Sequence, residues 1–357
     1  MQLTLVVPEL IWPEPDDRHT LDALRCPGLT TLIARSRLRR RPPQSLEATL
    51  ADTFGLSENV PYAAFRLLGE ASAPTAADAC WLCADPVHLR LHQERLILAD
   101  GGSLGIALDE AREIAGELGR QFADIGRFHV ATADRWYLQL AGDPDLGHFD
   151  VLPLSAVAGR RLGRQLPETP QARALRQLLN EVQMVLHGLP ANQRRDNDGR
   201  PTINSLWLWG AGVLPAARAV DFAGIWSSDP LARGIGRAFG VPVQALPDNA
   251  AELLSRLARA TRAPAGSRQL LVLDALQGPV QYEDADAYRD ALHELEERWF
   301  APLQRDLARG RIKRLQLHAP TAYATLAWES RCSEQWQLWR RPLPLAATAQ
   351  TLARGEG

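Results

Sequence analysis

From Phe222 to His318, short apolar runs alternate with longer amphipathic stretches, and this rhythm limits the fold more than any other feature of the chain. The runs are Phe222–Trp226, Val243–Leu246, Leu270–Leu273 and Ile312–His318, with Pro230–Phe239, Asn249–Thr261 and Asp284–Leu307 between them. A short unbroken apolar run suits a strand buried on both faces. Helices between such strands carry the chain back over the sheet, so successive strands run parallel. Leu3–Val7, stopped by Pro8, is a further run of this kind. The fold class that follows is α/β, a mainly parallel sheet with helices on both faces.

The rhythm changes near Thr75. Strands are expected at Ala79–Cys83, Val87–Leu91 and Arg95–Leu98, with an Asp85-Pro86 turn between the first two. A helix follows over Leu108–Phe122, where Ala111, Ile114, Ala115, Leu118 and Phe122 keep helical spacing. Strands Phe128–Ala131 and Trp136–Leu140 complete an α+β subdomain over 75–165, inserted into a core made of 1–74 and 166–357. Pro153–Glu168 reads as the connection back, and Pro170 opens a helix to Leu186. Earlier, helices are expected near Gly28–Ala34 and Leu46–Phe54. The basic, proline-bearing stretch Arg37–Pro43 between them reads as a solvated loop with some capacity for an anion. Tyr323–Trp328 and Gln335–Arg340 read as a closing antiparallel pair.

A formal net charge of −2 over 357 residues predicts no general affinity for nucleic acid or for an anionic membrane. The first apolar run ends at Pro8 with no basic segment before it, and no later run approaches a spanning helix. A cytoplasmic location is the expectation. Cys80-Trp81-Leu82-Cys83 has CxxC spacing, but positions i and i+3 of a strand point to opposite faces, so buried structural thiols are expected. Asp196-Asn197-Asp198-Gly199 lacks the later glutamate of a calcium loop and reads as a turn.

The most informative stretch is Leu175–Gly212. It contains Leu189-Pro190-Ala191-Asn192 with Arg194 and Arg195, then Ile203-Asn204 and Trp207-Leu208-Trp209-Gly210-Ala211-Gly212. Asn and Arg side chains offer planar, multi-donor groups suited to phosphate or carboxylate, and the glycines allow close backbone approach. A structural loop with a tryptophan-rich core strand is the competing reading. This order of residues resembles the archaeal-type cofactor-independent phosphoglycerate mutases of the alkaline phosphatase superfamily. Within that superfamily, Cys83-Ala84-Asp85-Pro86-Val87-His88-Leu89 and the Trp-Leu-Trp-Gly run resemble the RpfE-type regulatory proteins of proteobacteria.

The resemblance implies an alkaline-phosphatase-like core, two divalent ions and a serine nucleophile at a helix start. Two ions roughly 3.5–4 Å apart need several carboxylate and imidazole ligands. Here the first strand runs into Pro8-Glu9-Leu10 without Asp-Gly, Asp274 is followed by no histidine, and His318 has no adjacent carboxylate. Ser45, ahead of Leu46-Glu47-Ala48, takes the nucleophile's place or is an ordinary N-cap.

Two functions follow. The first is a catalytically degenerate, phosphoglycerate-mutase-like protein in a regulatory role, with no metal cofactor, binding a small phosphorylated or carboxylate ligand or a protein partner. Asn192, Arg194, Arg195, Asn204, Arg135, Asp85 and His88 are its expected ligand residues, in a cleft between subdomains. The second is an active phosphomutase or phosphatase using Ser45, with manganese or zinc on Glu9, Asp274 and His318.

Overall fold

The computed structural model describes the chain except for residues 15–16, 23, 72–77, 93–94, 143–150, 160, 163–169, 260–266, 322 and 354–357. In chain order its strands are β1 (Gln2–Val6), β2 (Arg37–Arg41), β3 (Trp81–His92), β4 (Arg95–Asp100), β5 (Gly126–Val130), β6 (Trp136–Leu140) and β7 (Arg161–Leu162). β8 (Ser205–Gly212), β9 (Gly224–Trp226), β10 (Val243–Gln244), β11 (Arg268–Val272), β12 (Arg314–Pro320) and β13 (Thr325–Arg331) follow. The chain divides into one unit of Met1–Gly55 with Arg218–Gly357 and a second of Leu56–Ala217. This second unit is wider at both ends than the 75–165 expected. The expected connection Pro153–Glu168 and the boundary at Thr75 fall partly or wholly outside the described residues.

The first unit holds a seven-stranded sheet in the order β10-β9-β11-β1-β12-β13-β2. β10, β9, β11, β1 and β12 pair in parallel, as the strand–helix rhythm requires, and β13 and β2 close the sheet antiparallel. Leu3, Leu5, Leu271, Leu315 and Leu317 turn to one face and form the core with Leu29, Tyr288, Leu292, Phe300 and Leu303 of the helices. Burial of each such side chain contributes roughly 1.5–3 kcal/mol. The opposite face carries Ile225, against which Gly236 of the helix Pro230–Ala238 packs, and the helix Leu46–Thr53 lies against β1 and β12. Helices cover both faces.

One contact fixes the approach of two of these helices. The buried carboxylate of Glu296 accepts the N–H groups of Gly28 and Leu29, at 2.6 and 3.0 Å, from the start of the helix Pro27–Ala34. It thereby satisfies two of the donors a helix start leaves open. Glu296 begins a π-turn, Glu296–Phe300, inside the stretch read from the sequence as one continuous helix. A Cβ on Gly28 would stand 2.5 Å from the Ala301 Cα, so only glycine admits this packing.

Three local expectations are corrected. Arg37–Arg41 is not a loop but the edge strand β2, paired antiparallel with β13; arginines on an edge strand deter further pairing. Gln335–Arg340 forms no strand, because the chain leaves β13 through a 3-10 turn, Cys332–Trp336. Asp85-Pro86 is not a turn: β3 passes straight through it. The Asn204 N–H donates to the Val87 carbonyl on the β8 side, so Pro86 turns its missing N–H to the other side. There β6 pairing ends at Cys83 and β4 pairing begins at Val87, so no ladder bond is lost.

The second unit is built on the antiparallel sheet β5-β6-β3-β4-β7, with β8 paired to the free side of β3. Its core gathers Trp81, Leu82, Ile114, Leu118, Tyr137, Leu138, Val182, Leu186, Trp207 and Trp209 from the sheet and its helices. Among the described residues no helix is long and apolar enough to cross a membrane.

Candidate functional site

In an open parallel sheet, ligands bind beyond the carboxyl ends of the strands. In the first unit the ends of β11, β1 and β12 lie side by side there, with Val6 level with both Val272 and His318. The chain past β1 is held by the Glu9 N–H, which donates to the Pro320 carbonyl at 2.9 Å. Glu9 sits at φ 55°, a left-handed conformation that side-chain-bearing residues rarely adopt. Past β11, Asp274 is half-buried, and desolvation pushes its carboxyl above the usual range. It lines a cavity of about 250 Å³ with Asp248, Glu294, Arg298, Leu273 and Trp299.

His318 lies deeper, within β12, two residues short of the strand end. Burial, with the charges of Arg268 and Arg41, pushes its imidazole down to about 4, so the ring is neutral at physiological pH. Its Nε2 is buried without a hydrogen-bond partner. Ser45 is the N-cap of the helix Leu46–Thr53, and its hydroxyl accepts from the Ala48 N–H at 3.1 Å. A cap of this kind contributes about 1 kcal/mol.

A divalent pair is the group the mutase resemblance implies, and the residues do not fit it. Among the described residues no group of three or more His, Cys, Asp or Glu side chains is placed to hold a metal ion. Burial chiefly keeps His318 neutral, and the charges of Arg268 and Arg41, which add to it and are only partly offset by Asp52, oppose a cation beside the ring. Glu9 and Asp274 follow the ends of β1 and β11 while His318 lies within β12, and among the described residues the three do not form one ligand set.

The seven expected ligand residues lie in the second unit, spread over separate internal networks. Asn192 and Arg195 are not in a loop but in a helix, Pro190–Asn197. Asn192 donates to the carbonyls of Leu186 and Ile203 at 2.7 and 2.8 Å and accepts the Ile203 N–H at 2.8 Å. Arg195, fully buried, donates to the Pro201 and Leu104 carbonyls and to Glu110. Both side chains thus spend their polar groups on the fold. Arg194 is exposed and pairs with Glu113 at 2.6 Å. Asn204 bridges the N–H and carbonyl of Leu89, and His88 Nδ1 meets the Thr202 carbonyl at 2.7 Å.

Asp85 and Arg135 are brought into one neighbourhood. The Arg66 guanidinium grips Asp85 through two bonds of 2.9 and 2.6 Å, and Trp209 Nε1 donates to the same carboxylate at 2.9 Å. Arg66 stacks over the Tyr137 ring at 4.7 Å; the Tyr137 hydroxyl donates to Glu70, which Arg135 holds at 2.7 and 3.1 Å. Burial works against the Arg66 charge, but the charge and hydrogen bonds of Asp85, with smaller contributions from Cys83 and Tyr137, together outweigh it and keep the guanidinium protonated. Asp85 and His88 stand at i and i+3 of one continuous strand, hence on opposite faces, and form no dyad. Sequence reasoning missed Arg66, whose signal was a lone arginine in the apolar run Tyr62-Ala63-Ala64-Phe65-Arg66-Leu67-Leu68. Glycines of the Trp-Leu-Trp-Gly segment serve the same packing: Gly210, at φ 67°, leaves room for Tyr62, whose Cβ would be 2.8 Å from an added Cβ.

No protein-family model matches the chain. It is 28% identical over 241 residues to a probable 2,3-bisphosphoglycerate-independent phosphoglycerate mutase of Geobacter sulfurreducens, covering 62% of this chain and 59% of the relative. To the 2,3-bisphosphoglycerate-independent phosphoglycerate mutase of Methanosarcina mazei it is 25% identical over 243 residues, 64% of this chain and 59% of the relative. The chain spans about three fifths of the length of these curated relatives. The solved structure of the PH0037 protein from Pyrococcus horikoshii shares its fold, with a TM-score of 0.53 and 15% identity over 92% of this chain and 87% of that one. By sequence, the relatives of this chain are 2,3-bisphosphoglycerate-independent phosphoglycerate mutases.

Proposed function

We propose that this chain is a catalytically degenerate relative of the phosphoglycerate mutases that works by binding, in a regulatory role of the RpfE type, and not by two-metal phosphoryl transfer. One observation carries the reading: the strand ends of the first unit hold Glu9, Asp274 and His318, yet among the described residues no metal-holding group forms. The role of Ser45 supports it too, since its hydroxyl accepts from the Ala48 N–H and caps the helix Leu46–Thr53 as an ordinary N-cap does. Its ligand is a small phosphorylated or carboxylate compound or a protein partner.

Because Asn192, Arg195 and Asp85 spend their polar groups on internal bonds, they act in this reading as the frame of the second unit. The test is interconversion of 2- and 3-phosphoglycerate, and hydrolysis of a phosphomonoester, with manganese or zinc supplied. The proposal expects no turnover above buffer, and metal-dependent turnover abolished by Ser45→Ala would overturn it.

A second reading, an active phosphomutase or phosphatase with substituted ligands, draws support from the similarity to mutases over 241 residues. The cavity at Asp274, where a carboxyl of raised pKa meets Asp248 and Glu294, supports it as well. The same assay decides between the two.

A further inference from the structure

Past β13 the first unit exposes an unusual surface. Trp336 and Trp339 are 75% exposed, Leu338 69% and Leu343 63%, four large apolar side chains within eight residues. Single exposed apolar residues are ordinary, but a contiguous cluster marks an interaction site. The turn is built, not loose. At its root Glu334 is buried and accepts from the Arg331 N–H and from Arg37, while buried Gln335 donates to Ser330 and accepts from Arg35. On the far side Arg340 donates to the Ser36 carbonyl, and Leu345 enters the core. The apolar side chains therefore stand out from a fixed base.

The surroundings are basic. No acidic residue occurs from Gln335 to Ala353, or from Arg35 to Ser45, and the hydrogen bonds above hold these two stretches together. Exposed Arg340 and Arg341 follow directly on Trp339. The net charge of −2 belongs to the whole molecule; these two stretches carry only arginines as charged residues, of which Arg37 is paired with Glu334 and Arg41 with Asp52. A second copy of this face would meet it with like charge, which disfavours a symmetric dimer. Aliphatic Leu338 and Leu343 have no ring to stack on bases, as a single-strand binder needs. A protruding tip of tryptophan and leucine beside arginine has the chemistry of an interfacial anchor. The rings enter the headgroup layer and the guanidinium groups meet lipid phosphates.

We propose that the turn Trp336–Leu343 docks the first unit on an anionic lipid bilayer surface. Flotation of the full chain with phosphatidylglycerol-containing vesicles is expected to recover it, and pure phosphatidylcholine vesicles or high salt to recover much less. Arg340→Gln with Arg341→Gln should weaken binding roughly thirtyfold at low salt, two charges at the surface being lost. Trp336→Ala with Trp339→Ala should weaken it at least about tenfold. Both pairs are exposed, so an unchanged thermal melt will show that the variants fold. Absence of binding to the anionic vesicles, or full binding by the tryptophan variant, overturns the proposal. So does dimerisation, or capture by an acidic polypeptide, that needs both tryptophans while vesicles recruit nothing.

Discussion

His318 is expected to make the protein acid-labile in a way that one substitution removes. Its ring is pushed from the ordinary 6.5 to about 4, chiefly by burial and then by Arg268 and Arg41. The unfolded chain therefore binds the proton first. The stability that His318 contributes is complete above about pH 6.5 and drains as pH falls toward 4. Each unit corresponds to about 1.4 kcal/mol, so the full effect is roughly 3 kcal/mol. The assay is denaturant unfolding of the wild type and of His318→Gln at a series of pH values from neutral to about 4, read as the difference between the two proteins. Asp274, whose carboxyl is raised by desolvation, works with the opposite sign, and the difference cancels it. The wild type should lose roughly 3 kcal/mol relative to the variant across this window. Parallel curves would refute the reasoning, since they would mean the imidazole titrates alike folded and unfolded.

Other expectations follow from packing. Arg195→Ala takes the guanidinium from partly buried Glu110 and from the Pro201 and Leu104 carbonyls and should cost about 3–5 kcal/mol in chemical denaturation; a cost near zero would show that Arg195 is not structural. Gly28→Ala forces a Cβ against the Ala301 backbone and should cost about 1–3 kcal/mol, measured in the same way. Ser45→Ala removes the cap on Leu46–Thr53 and should lower stability by about 1 kcal/mol, without changing any phosphate-ester turnover.

Much of the fold was legible in the sequence because it rests on periodicity. The strand–helix alternation after Phe222 became the parallel half of the first sheet, and Trp136–Leu140 was read at its observed limits. What escaped depends on partners distant in the chain. Arg37–Arg41 has the composition of a solvated loop and becomes a strand only because β13 lies beside it. Pro86 signals a turn locally, yet its missing N–H faces the interval between the β6 and β4 pairings, where no neighbour is lost.

The same limit governs the candidate site. Residue types suited to an anion were readable at Asn192 and Arg195. That the Leu104 carbonyl and Glu110, some 90 positions earlier, take up Arg195 was not readable from spacing. Whether Glu9, Asp274 and His318 hold an ion depends on how the loops past β1, β11 and β12 set their side chains, which spacing in the sequence does not fix.

Metal stoichiometry of the purified full chain, measured after equilibration with manganese or zinc and removal of the free ion, tests that last point most directly. Retention well below one ion per chain is the predicted result. Two tightly held ions per chain, released together by Asp274→Ala or His318→Ala, would contradict it.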